Sequence, residues 1–171
     1  VLLGYGISLI ELGGGKYNIF RNWQMFKQLL KNRKYSVVYI NAFQGISIYY
    51  ARLAKKSGVH LVIVHSHNAA LKRRIGYGLK MCLHRIYAAL FSKYADYFWA
   101  CSEAAAEFMF PKKLLKKYGF TFIPNAIDIQ RFRFEPEVRK RIRRTLDVKD
   151  CVLLGCVGRL CYQKNQIFAL H

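Results

Sequence analysis

Acidic residues are scarce: Asp and Glu number 9 against 29 Lys and Arg, for a formal net charge of +20 at pH 7. With so few carboxylates, no glycosidase-style pair of acids is evident. The same imbalance favours an anionic partner: nucleic acid, acidic lipid or a phosphorylated ligand. Long apolar runs are also missing. No segment reaches the roughly 18 uncharged apolar residues of a membrane span, and no secretory signal is visible. No G-x-G-x-x-G follows any apolar run, which speaks against a dinucleotide-dependent dehydrogenase. No C-x-x-C occurs either. The cysteines are Cys82, Cys101, Cys151, Cys156 and Cys161, an odd number without a framework of paired spacings, which favours reduced thiols in a cytosol. The last three recur at regular gaps, but Cys156 lies inside a strand-like run, so no metal site is expected there.

What is present is the make-up of a folded chain. Its 171 residues are 53% hydrophobic and 15% aromatic, enough for a core and too apolar for disorder. The first residue is Val1 and the last, His171, falls a few residues into a helical pattern, so the chain reads as cut at both ends. Gly13-Gly14-Gly15 reads as a turn and Lys16–Ile19 as a short strand. Trp23, Phe26, Leu29 and Leu30 recur at helical spacing over Arg21–Lys31. Ser36–Asn41 is a buried strand, Ile46–Ser57 a helix stopped by Gly58, and Leu61–Val64 a second strand. The longest helical signal is Leu71–Lys93. Leu71, Ile75, Leu79, Cys82, Ile86 and Leu90 mark one apolar stripe, and Lys72, Arg73, Lys80 and Arg85 fall away from it. Tyr97–Ala100 and Phe120–Ile123 are further strands, and Ser102 is placed to cap a helix starting near Glu103. Glu135–Leu146 is a helix dense in Arg and Lys.

Strands alternate with helices across short polar turns, which predicts a parallel α/β sheet. Right-handed crossovers then set every strand's C-terminal end on one edge, where ligands bind in such folds. Four polar clusters follow strands directly: His65-Ser66-His67, Ser102-Glu103, Pro124-Asn125 and Gly158-Arg159. The last belongs to the most informative stretch, Cys151–Asn165. There an apolar run, Val152–Val157, reads as a strand buried on both faces. Gly158, Arg159 and Lys164 follow, then a helical start at Asn165. Glycine permits close backbone approach, a helix start offers free N–H groups, and an arginine fork with a lysine point charge suits a diphosphate. A plain surface loop of a basic protein accounts for the bare spacing equally well.

Gly158-Arg159-Leu160 with Lys164-Asn165 resembles the donor-phosphate loop of retaining glycosyltransferases with the GT-B fold, of the family 4 (group 1) type found in bacterial capsule and exopolysaccharide pathways. The resemblance continues upstream in the expected order. Val64-His65-Ser66-His67-Asn68 is similar to that family's histidine loop, Ala100–Ala104 to its next strand end, and Ile123–Asp128 to its P-N-G-I-D segment, with Ala126 in place of the usual glycine. It covers nearly the whole chain from about Lys34 onward. It implies a partial N-terminal Rossmann-like domain over residues 1–134, an interdomain linker helix over 135–149 and the first βα unit of a C-terminal Rossmann-like domain over 150–171.

The resemblance also implies roles. His67 matches the histidine that touches the transferred sugar; His65, two residues earlier, shares its face if the strand continues, and either ring fits the part. Gly158, Arg159 and Lys164 match the donor diphosphate grip. His65, Asn68, Ser102 and Asn125 are candidates on the sugar or acceptor side, although Ser102 is a helix cap first and Asn125 a turn residue first; Asn41 is assigned no role. The implied reaction moves a sugar from a nucleotide-sugar to a glycan or lipid-linked acceptor with retention of configuration. It needs no metal or other cofactor, because the Arg and Lys pair does a metal's work. The family's E-x7-E segment would lie beyond His171, so this piece alone is expected not to turn over. The implied location is cytoplasmic, peripheral at the inner face of the plasma membrane. There the basic face of Leu71–Lys93, with Lys112, Lys113, Lys116 and Lys117, meets an anionic leaflet or simply water. A basic nucleic-acid-binding α/β module is the alternative. It rests on charge alone, and the aromatics fall mostly on apolar stripes rather than between basic residues.

Overall fold

The computed structural model describes residues 10–12, 18–71, 75–148, 151–160 and 164–170. The chain divides into two units, Val1–Asn125 and Ala126–His171. The Gly13–Gly15 turn, Lys16, Lys72, Arg73 and Cys161 lie outside the described residues.

The first unit is α/β. Helix α1 (Ile19–Asn32) leads to strand β1 (Val37–Ala42); a short 3-10 segment (Gly45–Ile48) runs into α2 (Tyr49–Lys56) and then β2 (Leu61–Ser66). Helix α3 (Tyr77–Phe91) precedes β3 (Tyr97–Ala100), and α4 (Glu103–Met109) with α5 (Lys112–Tyr118) precedes β4 (Thr121–Phe122). All strands pair in parallel in the order β1-β2-β3-β4. Ile40, Ala42, Val62, Val64, Phe98 and Ala100 point into the one apolar core, where Ala51, Ala54, Ala105, Ala106 and Met109 meet them from the helices. The alternate positions Val37, Tyr39 and Tyr97 are exposed. The sheet is therefore covered on one face and partly open on the other.

Two departures from the sequence reading concern the helices. Asn18 and Ile19 do not form a strand. The Asn18 side chain accepts the Arg21 N–H at 3.0 Å, so it caps α1, and Ile19 is the first helical residue. The helix read over Leu71–Lys93 is α3, Tyr77–Phe91, and its stripe is the outer one except at Leu71, which precedes the helix and packs against the core. Ile75, Leu79, Cys82, Ile86 and Leu90 are exposed, whereas Met81, His84, Ala88 and Phe91 face the core. The helix is apolar on both faces, so periodicity alone finds two stripes, and only the packing of His84 selects between them. The sequence reading has no counterpart to α5, and it ends β2 two residues early, at Val64 rather than Ser66.

The second unit holds α6 (Pro136–Thr145), which matches the basic helix expected over Glu135–Leu146, and α7 (Gln166–Leu170). Val152–Val157 is not a strand. It runs as irregular chain with Val152, Leu154 and Val157 exposed. A strand buried on both faces needs neighbours to take its N–H and C=O groups. Among the described residues this unit supplies none. No described helix is long and apolar enough to cross a membrane.

Candidate functional site

The register of β1 and β2 gathers a polar cluster at the C-terminal edge of the sheet. Asn41 lies opposite His65 and Ala42 opposite Ser66. Because β2 runs through Ser66, His65 and His67 fall on the same face, with ring centroids 4.0 Å apart. Each ring is held by one side chain of β1. The Tyr39 hydroxyl is hydrogen-bonded to His65 Nδ1. His67 Nε2–H donates to Asn41 Oδ1 at 2.8 Å. Asn68 Nδ2 donates to the Phe43 carbonyl at 3.0 Å, which ties the loop after β2 to the loop after β1. The Trp99 ring, from β3, stands 5.7 Å from Tyr39 and 6.1 Å from His65. The structure thus brings His65, His67 and Asn68 together and adds Tyr39, Asn41 and Trp99, for which the sequence assigns no role. Their signal was parity: Tyr39 and Asn41 alternate along β1 as His65 and His67 do along β2.

The two imidazoles differ in their surroundings. His65 is 3% exposed and His67 is half-buried. Burial pushes the His65 pKa below the ordinary histidine value, and the neighbouring His67 pushes the same way. The Ile123 backbone acts in the opposite sense without overcoming them. His65 Nε2 is buried and makes no hydrogen bond. In the neutral ring of His67, the bond to Asn41 fixes the proton on Nε2 and leaves Nδ1 as an acceptor. The edge therefore presents a neutral buried imidazole in tilted contact with a more accessible one, each oriented through a single side-chain partner.

Ser102 caps α4: its Oγ accepts the Ala105 N–H at 3.1 Å. Ser66 Oγ donates to the Ala105 carbonyl at 2.7 Å on the core side of the sheet, so the two serines pin the first turn of α4 to the ends of β2 and β3. Asn125 is exposed in the extended segment after β4.

In the second unit, Gly158, Arg159 and Lys164 form one local loop. A Cβ placed on Gly158 would touch Lys164 Cγ at 3.6 Å, so the lysine stem lies along the glycine. Gln166 Nε2 donates to the Arg159 carbonyl at 2.8 Å and closes the loop onto α7. Asn165, just before α7, has φ +45, a left-handed conformation that asparagine tolerates better than most residues. Arg159 and Lys164 are both exposed.

Among the described residues, no group of three or more His, Cys, Asp or Glu side chains gathers as a metal site. No protein-family model matches the sequence, and no curated protein or solved structure matches it.

Proposed function

We propose that this chain is part of a retaining GT-B glycosyltransferase that moves a sugar from a nucleotide-diphosphate sugar to a glycan or lipid-linked acceptor in bacterial surface polysaccharide synthesis. The observation that carries the reading is the His65–His67 pair at the C-terminal edge of a parallel sheet, each ring oriented from β1. In the proposed reaction the bond between the anomeric carbon and the diphosphate oxygen breaks. The acceptor hydroxyl oxygen takes its place on the same face of the sugar, and its proton leaves with the departing diphosphate. His67 binds a hydroxyl of the transferred sugar, and His65 backs its ring. Arg159 and Lys164 bind the diphosphate, whose negative charge grows as the bond breaks. The Lys164 stem against Gly158 is consistent with a compact phosphate-facing loop.

The test is a titration with uridine and guanosine diphosphates, followed by amide resonances at constant ionic strength. Millimolar binding is expected, with shifts concentrated at Gly158 and Arg159. The Arg159→Ala/Lys164→Ala variant should lose those shifts, and a nucleoside without phosphate should produce none. Shifts spread evenly over the basic residues of α6 and unchanged in the variant would overturn the assignment of the loop.

A further inference from the structure

We infer that the second unit binds single-stranded nucleic acid through the segment from Arg131 to Val148. Arg131-Phe132-Arg133-Phe134 alternates cation and ring, and the two rings are 69% and 71% exposed. Among the described residues no other ring contacts either of them. Asp128 fixes the turn that carries them: its Oδ1 accepts the Gln130 and Arg131 N–H groups at 3.1 and 3.3 Å. Unpaired bases present flat π faces, which stack on such rings whatever the sequence. Helix α6 supplies charge for the phosphates. Arg139 and Arg143 stand one turn apart, about 6 Å at 1.5 Å per residue, and Lys140 and Arg144 form a second rank beside them. These four, with Asp147 and Val148, line an open hollow of about 320 Å³. The chain folds back to close its end: the Val148 N–H donates to the Arg143 carbonyl at 3.0 Å and the Asp147 N–H to the Arg144 carbonyl at 3.1 Å, with Asp147 at φ +51. Glu137 pairs with Lys140 at 2.8 Å, but Arg139 and Arg144 form no ion pair among the described residues. Guanidinium forks in two ranks suit successive phosphates of a flexible strand. A duplex keeps its base faces inside the stack, and a nucleoside diphosphate brings one base and two phosphates against two rings and four cations. A single strand uses both halves of the segment. This assignment is independent of the sugar-transfer reading, which concerns the sheet edge and the Gly158–Lys164 loop.

Fluorescence anisotropy of the full chain tests it, with labelled oligothymidylate and oligouridylate as the single strands. An oligothymidylate–oligoadenylate duplex and inorganic polyphosphate serve as polyanions without free base faces. Both strands should bind more tightly than either control, and the two arms tell deoxyribose from ribose strands. Phe132→Ala/Phe134→Ala should weaken strand binding by about tenfold or more and leave polyphosphate binding unchanged, while Phe132→Tyr/Phe134→Tyr should keep the strand affinity. Each phosphate contact contributes about 0.7 to the slope of log K against log salt, so Arg139→Gln/Arg144→Gln should flatten that slope by about 1.4. Uridine diphosphate should not displace the strand. Equal affinity for strand and duplex, an alanine variant as tight as wild type, or an unchanged salt slope would each overturn the assignment, as would no binding at low salt. Displacement by uridine diphosphate would move the strand to the Gly158 loop and overturn it too. Tighter binding to phosphatidylglycerol vesicles than to either strand would give the segment to a lipid surface instead.

Discussion

Replacing His84 with glutamine probes the buried ring that joins three elements of the first unit. His84 Nδ1 accepts the Gly45 N–H at 2.7 Å, and Nε2–H donates to the Phe108 carbonyl at 2.9 Å. The ring also stacks on Phe108, with centroids 4.2 Å apart and planes 16° apart. Glutamine keeps polarity at the site, but it loses the stack and one well-aligned bond. A net hydrogen bond is worth about 1 kcal/mol and an aromatic pair about 1 kcal/mol, so the variant should be about 2 kcal/mol less stable at pH 7.5. The pH dependence separates this account from simple packing. Burial pushes the His84 pKa below its ordinary value; the Phe108 carbonyl opposes that, and Arg85 adds to it. A second proton would also have to sit on Nδ1, facing the Gly45 N–H. The folded state therefore binds the proton less readily than the unfolded chain. The stabilisation is full above about pH 6.5 and falls by up to about 1.4 kcal/mol per unit as the pH drops towards the folded pKa. Glutamine cannot titrate, so the gap between wild type and variant should narrow by up to about 1 kcal/mol between pH 6.5 and 5.5. His65, which shifts in the same direction, is common to both proteins and cancels. Urea unfolding followed by far-UV circular dichroism at pH 7.5, 6.5 and 5.5 measures the gap. A gap that stays constant or widens on acidification would refute the neutral, doubly bonded ring.

Two further substitutions probe the same scaffold. In Gly45→Ala the new Cβ would stand 2.1 Å from the His84 carbonyl oxygen and 2.8 Å from its carbon, both backbone atoms that no rotamer change can move. A loss of about 3 kcal/mol in urea is expected, and a loss below about 1 kcal/mol would mean that α3 shifts easily. Asp96→Asn should cost about 1 kcal/mol at pH 7, since Asp96 accepts the Val62 N–H at 2.7 Å and pairs with Lys55 at 2.7 Å while solvent screens its outer edge. Burial alone would push that carboxyl up, but Lys55 and the Val62 N–H outweigh it and hold the pKa below the ordinary value. The stabilisation is thus present above about pH 4 and lost as the carboxylate protonates, so the two proteins should converge in stability below that pH.

The order of strands and helices in the first unit was legible because most of its strands are dense in β-branched and aromatic residues between turn signals, as in Val37–Ile40 and Tyr97–Ala100. The Ser102 cap was legible for the same local reason: a hydroxyl at a strand end needs only the next turn of backbone. What sequence missed depends on partners far along the chain. Val152–Val157 has strand composition and no neighbouring strand among the described residues, and composition cannot supply one. In α3 both faces carry apolar residues at helical spacing. The buried face is chosen by His84, whose partners Gly45 and Phe108 lie 39 and 24 residues away. The sequence put His65 and His67 on one face on the condition that the strand continues, and β2 meets that condition by extending through Ser66.

His84 also supplies the standard against which the edge histidines are judged. A histidine that serves packing alone has reason to engage both nitrogens, since an unpaired buried polar atom costs about 1–3 kcal/mol. His84 does so, with one bond to a neighbouring element on each side. His65 is nearly as buried, yet only Nδ1 makes a well-formed hydrogen bond, and the Ile123 backbone is the one group that favours a proton on its other side. His67, beside it, is bonded through Nε2 to Asn41. Space-filling explains the first ring completely and the other two only in part. The unpaired His65 nitrogen is itself closed to solvent, so the accessible capacity at these strand ends is Nδ1 of the half-buried His67, on the face that the core does not occupy.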